Sequence, residues 1–154
     1  MAGSGSEGCA FCGIVRGETE RYAVLEDRVS VAFLDRRPLF PGHCLLVPKK
    51  HYQTLIDLPT SLIEPLFANA RLLARAMEEA LQAEGSFVAI NNRVSQSVPH
   101  LHIHIVPRKK KDGLKGFFWP RQRYPSEESI AKVHEALQET IARLKSERES
   151  GYLP

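Results

Sequence analysis

The chain has 154 residues, 43% hydrophobic and 25% charged, enough apolar material for one compact domain and unlike disordered or fibrous sequences. Its 21 basic and 18 acidic residues leave a net charge of +3, too small for a nucleic-acid platform and compatible with a small phosphate-bearing substrate. No run of about 18 apolar residues is present to cross a membrane, and Met1 to Gly8 lacks the basic start and apolar stretch of a secretion signal, so the expected setting is the cytoplasm.

Residues 1–8 are small and polar and read as a tail outside the fold; a single domain is expected over 9–148, with a second tail over 149–154. Three cysteines, Cys9, Cys12 and Cys44, are too few and too odd in number for a disulfide framework. The C-x-x-C spacing of Cys9 and Cys12 suits either half a metal site or a redox couple. β-Rich stretches follow at Tyr22–Leu25, Val29–Leu34 and His43–Val47, punctuated by Glu26-Asp27 and Pro41-Gly42. Cys44 falls inside the third and reads as a small core residue.

Over Leu62–Glu84, the apolar residues Leu62, Leu66, Leu73, Met77 and Leu81 recur at helical spacing, with Thr60 or Ser61 as the start and Gly85 as the stop. Two more strands are expected at Phe87–Asn91 and Leu101–Val106. The stretch from Asp112 to Arg121 mixes lysines with Phe117, Phe118 and Trp119, suited either to stacking on bases or to an apolar strip against the core or a partner. A last helix is capped by Ser126, carries Glu127 and Glu128 in its first turn, and ends near Arg148. Hairpin-linked strands with one inserted helix make this an α+β domain, an antiparallel sheet of about five strands with one long helix and a C-terminal helix.

The chemistry concentrates in Pro99-His100-Leu101-His102-Ile103-His104-Ile105-Val106. In a strand alternate side chains share a face, so His100, His102 and His104 form one row while Leu101, Ile103 and Ile105 enter the core. At about 3.3 Å per residue the outer two lie roughly 13 Å apart, so one metal cannot hold all three. Three titratable rings on one face without a role would add polar groups needing partners. A metal chelated by two of them is the rival to a catalytic use.

This run resembles the H-x-H-x-H signature of the histidine triad (HIT) hydrolases, in their Hint-like, zinc-bearing branch. Phe33-Leu34-Asp35, Pro41-Gly42-His43, Leu45–His51 and the Cys9–Val15 opening are similar to other landmarks of that family, in the same order. The resemblance implies that His102 attacks the α-phosphate of an adenylyl conjugate, such as a nucleoside phosphoramidate, to give a nucleotidyl-histidine that water hydrolyses. It implies that His104 stabilises the phosphate oxygens, that Ser97 and Gln96 meet the phosphate or leaving group, and that Asp35 accepts from the ribose. Phe33 and Leu34 would flank the purine base, and Asn91 rather than Asn92 would take the family's Asn role. Cys9, Cys12, His51 and His100 would hold a structural zinc, and a homodimer follows by the same resemblance. Cleavage of dinucleoside polyphosphates, and a purine-nucleotide-binding module with little turnover, are the alternatives. A DNA-end processor fits less well, since no second zinc module is present to grip nucleic acid. One departure stands out: the family's glycine-rich loop is here Asn91-Asn92-Arg93-Val94-Ser95-Gln96, shorter and without glycine, with Arg93 as a possible substitute for amide contacts to phosphate.

Overall fold

The computed structural model describes residues 6–114 and 122–151. The chain divides into two compact units, Met1–Asp112 and Gly113–Pro154. The first holds α1 (Ala10–Val15), β1 (Ala23–Glu26), β2 (Ser30–Leu34), β3 (Cys44–Pro48), a 3-10 turn at Leu55–Asp57, α2 (Thr60–Leu81), β4 (Gly85–Ala89) and β5 (Ile103–Arg108). All strand pairs are antiparallel, and the order across the sheet is β1-β2-β3-β5-β4. The last strand is therefore inserted between two earlier ones.

β3 reads Cys-Leu-Leu-Val-Pro without a polar residue and is buried along its whole length, because both faces of the sheet are covered. On one face, Cys44 and Leu46 join Leu101, Ile103 and Ile105 against Leu66, Ala70, Leu73 and Met77 of α2. On the other, Leu45 and Val47 join Val31, Phe33 and Phe11 of α1. The edge strand β4 alternates between part-buried and exposed residues, as a sheet margin does. Full burial of a large aliphatic side chain contributes about 1.5–3 kcal/mol, so the α2 stripe is the main tie of that helix to the sheet.

β1, β2 and β3 lie within one residue of their expected positions, but the boundaries of α2, β4 and β5 differ. α2 opens on Pro59 with no side-chain cap and stops at Gln82, whose φ of 53° takes the left-handed turn and whose N–H returns to the carbonyl of Met77. Gly85, expected as the stop, instead opens β4. β4 and β5 are both displaced from expectation, because β5 outlasts its pairing with β3 and continues against β4 through Pro107 to Arg108. His100, Leu101 and His102 precede the ladder, and the N–H of Leu101 donates to the carbonyl of Tyr52. The alternation of faces nevertheless persists through them.

The second unit contains α3 (Glu127–Glu149). The Ser126 hydroxyl accepts from the N–H of Ser129, and the Ser129 hydroxyl from that of Ser126, so the expected cap is present. Ile130, Val133, Leu137, Ile141 and Leu144 recur along it at helical spacing, each 40–57% exposed. Most of the aromatic and basic stretch, Lys115 to Arg121, lies outside the described residues. Among the described residues no helix is long and apolar enough to cross a membrane.

Candidate active site and metal centre

His102 is only 3% exposed. Its Nδ1–H donates to the backbone carbonyl of His100 at 2.7 Å. A carbonyl can only accept, so the proton must sit on Nδ1 and Nε2 keeps its lone pair. Among the described residues no buried side-chain nitrogen or oxygen lacks a partner, so Nε2, which has none, opens to accessible space. The ring is braced edge-on by Phe11, at 5.0 Å between centroids, and by His104, also at 5.0 Å.

His104 is set by a chain that starts on the backbone. The N–H of Leu39 donates to Nδ1 of His43 at 3.1 Å, which forces the His43 proton onto Nε2. That proton points at Nδ1 of His104, 2.9 Å away, leaving His104 with its own proton on Nε2. Burial, followed by the neighbouring His102 and His43, holds His104 down to about 4, and burial lowers His43 as well, against the pull of Asp35. Both rings are neutral at pH 7. A neutral, oriented N–H donor on His104 thus lies beside the oriented ring of His102.

Next to these rings lies a cavity of about 210 Å³, walled by Phe11, Ile14, Phe33, Leu34 and Leu45 with Asp35 at its rim. Phe33 is 4% exposed, with Phe11 edge-on to it at 5.6 Å. One oxygen of Asp35 accepts from the N–H of Arg37, and the other lies 3.8 Å from Nδ1 of His43. Ala89 on β4 pairs with His104, which sends the following residues toward His102. Asn91 and Ser97 are exposed, and neither side chain has a hydrogen bond among the described residues. Gln96 is committed to the fold: its Oε1 accepts from the N–H of Arg93 and its Nε2 donates to the carbonyl of Gln53. Asn92 likewise accepts from the N–H of Leu55.

Around the His100 ring stand two thiols and a second imidazole. Sγ of Cys12 lies 3.3 Å from Nδ1 of His51 and 3.5 Å from Nδ1 of His100, and Sγ of Cys9 lies 3.6 Å from Nδ1 of His100. All four ligand atoms fall within 4.8 Å of one another. A tetrahedral zinc with bonds of about 2.3 Å to sulfur and 2.0 Å to nitrogen separates those atoms by about 3.6 Å, so the set fits that ion. The other nitrogen of His100 is held by the carbonyl of Pro48 at 2.9 Å, the second bond that ligating imidazoles require. Burial and the neighbouring Cys9 push the Cys12 thiol up to about 11, an environment that favours a thiolate only beside a cation.

The expected triad, the Asp35 rim and the four metal-ligating residues thus come together, whereas the Gln96 side chain is turned into the loop. Two participants were not expected: His43, quoted only as part of a Gly-His landmark, and Phe11, lying between the cysteines. An aromatic placed between the two cysteines of a C-x-x-C spacing was the available signal for the latter.

The family model described as "HIT domain" matches residues 16–111. Over 108 residues the chain is 37% identical to the adenylylsulfatase HINT3 of Arabidopsis thaliana, covering 69% of this chain and 55% of that protein. It is 29% identical over 146 residues to the adenosine 5'-monophosphoramidase HNT1 of Candida albicans, covering 91% and 95%. A zinc-bound histidine triad family protein from Mycobacterium smegmatis superposes with a TM-score of 0.68 at 35% identity, covering 90% of this chain and 99% of that one.

Proposed function

Because this chain belongs to the HIT domain family, a family whose relatives are hydrolases, we propose that it cleaves the bond between the α-phosphate of a purine nucleotide and its leaving group, taking nucleoside phosphoramidates or related adenylyl conjugates. The observation that carries this reading is the His102 tautomer, fixed by the 2.7 Å bond to the His100 carbonyl so that Nε2 is free to attack. The relatives named for adenylylsulfate and adenosine phosphoramidate cleavage support the substrate class.

The Nε2 lone pair of His102 forms a bond to phosphorus while the phosphorus–nitrogen bond of the conjugate breaks; the leaving amine takes a proton from solvent by way of the Ser97 hydroxyl. The Nε2–H of His104 donates to a phosphate oxygen as charge builds there. Water then attacks phosphorus and gives up a proton to solvent, the phosphorus–Nε2 bond breaks, and the nucleotide leaves with His102 neutral again. Phe33 and Leu34 hold the base, Asp35 accepts from the ribose hydroxyls, and Asn91 borders the phosphate. Gln96 acts by shaping the loop rather than through its own amide. Zinc held by Cys9, Cys12, His51 and His100 would supply a structural cross-link with no open coordination position. The site acts as part of a homodimer, a reading supported by the apolar stripe of α3.

The test is turnover of adenosine 5'-phosphoramidate. Wild-type protein should release AMP and yield an adenylylated His102 on rapid quenching and mass spectrometry. His102→Ala should lose turnover by at least a thousandfold while AMP affinity stays within about tenfold. Turnover persisting in His102→Ala, or an adduct on another residue, would overturn the reading.

A further inference from the structure

His100 belongs to two constellations at once. Its ring offers Nδ1 to Cys9, Cys12 and the metal cluster and is fixed at Nε2 by Pro48. Its backbone carbonyl holds the proton of His102. A second link runs through α1: Phe11, between the two cysteines in sequence, stacks edge-on against His102 at 5.0 Å and lies 6.1 Å from the His100 ring. α1 has only six residues, too few to hold a conformation by itself, so what fixes Phe11 is its anchorage at Cys9 and Cys12 and its own packing.

We propose that the Cys9, Cys12, His51 and His100 cluster is a positioning device for the nucleophile: with metal bound, it presses Phe11 against His102 and holds the His100 carbonyl on its Nδ1–H. Phe11 is a positioning residue of the reaction and the metal acts on rate from outside the substrate site. The inference rests on His102 being the nucleophile. It predicts a division of effects, because a structural zinc serving only the fold would lower stability and leave the native His102 unchanged. A zinc serving His102 changes the tautomer and kcat of protein that is still folded.

The experiment uses the full chain, loaded with zinc and then stripped by a chelator, with metal content measured in each state. Imidazole ¹⁵N chemical shifts report whether His102 holds its proton on Nδ1. In the loaded protein they should show one Nδ1–H tautomer; in the stripped, folded protein a mixture, with kcat down about tenfold or more, AMP affinity within about threefold, and recovery on adding zinc. Phe11→Leu, which removes no ligand, should keep its zinc yet lower kcat about tenfold and broaden the His102 signals. If stripping unfolds the chain, this variant decides alone. Unchanged His102 shifts and kcat in folded zinc-free protein, in Phe11→Leu, or a chain that binds no zinc, would overturn the proposal. Should wild type fail to cleave the phosphoramidate, the nucleotide reading fails, while the ¹⁵N shifts still decide the coupling.

Discussion

The backbone N–H of Leu39 governs a side chain it never touches: by donating to His43 it determines which nitrogen of His104 carries the proton. His43→Ala should therefore cost about tenfold to a hundredfold in kcat for the phosphoramidate with KM less affected, since His104 is free to take the other tautomer. Steady-state kinetics check this. The same burial has a pH signature. The folded value of about 4 for His104 lies below its ordinary 6.5, so the unfolded chain takes up a proton first, and the stability this ring contributes is complete above pH 6.5 and lost as pH falls toward 4. Between pH 7 and 4.5 this loss is about 2–3 kcal/mol. Urea unfolding at those two pH values should show a correspondingly smaller drop in His104→Gln than in wild type. The row of three histidines is legible from alternation alone. The fourth, His43, is not, because its role exists only once β3 and β5 are paired with Leu45 opposite His104.

Among elements, the loop from Asn91 to Gln96 carries the departure from the family pattern into its backbone. Arg93 and Ser95 both sit at positive φ, 67° and 58°, where a side chain costs about 1–2 kcal/mol that glycine does not incur. Allowing for the greater freedom of glycine when unfolded, Ser95→Gly should stabilise by about 0.5–1 kcal/mol, read from the urea midpoint; no gain would mean the loop relaxes elsewhere. Arg93, whose guanidinium has no partner among the described residues, is the residue to compare in turnover. At the start of β3, Gly42 has φ 100°, and a Cβ there would fall 2.3 Å from Cδ1 of Leu81. Gly42→Ala should destabilise by about 1–3 kcal/mol, and Leu81→Ala should relieve only the steric share, as a double-mutant cycle would reveal. β1 to β3 and the body of α2 were readable because period and turn residues agree there. α1 was not, since six residues give no helical period; nor was the end of α2, because a left-handed Gln82 carries none of glycine's signal.

For the molecule as a whole, β3 is buried on both faces, with Leu101 in the core against α2 and Phe11 of the C-x-x-C turn in the other. A metal held by Cys9, Cys12, His51 and His100 would tie residue 9 to residue 100 and residue 12 to residue 51, closing loops of unlike length. Chelation should lower the melting temperature by several degrees or more, with close to one zinc per chain before treatment. Light scattering should give twice the 17.3 kDa chain mass. Which residues would gather around a metal was implied by the family likeness; the distances that fit the ion came only with the fold, because 91 residues separate Cys9 from His100. That separation, with β5 inserted between β3 and β4, bears on the chain as it is made. At about 5–20 residues per second, the ribosome delivers His100 roughly 5–20 s after Cys9. Throughout that interval the nascent thiols have His51 at most for company, β5 is missing, and β3 lies with one edge bare. Completion of this site therefore waits on the segment that leads into the last strand synthesised, and newly made chains are most exposed to oxidants in those seconds.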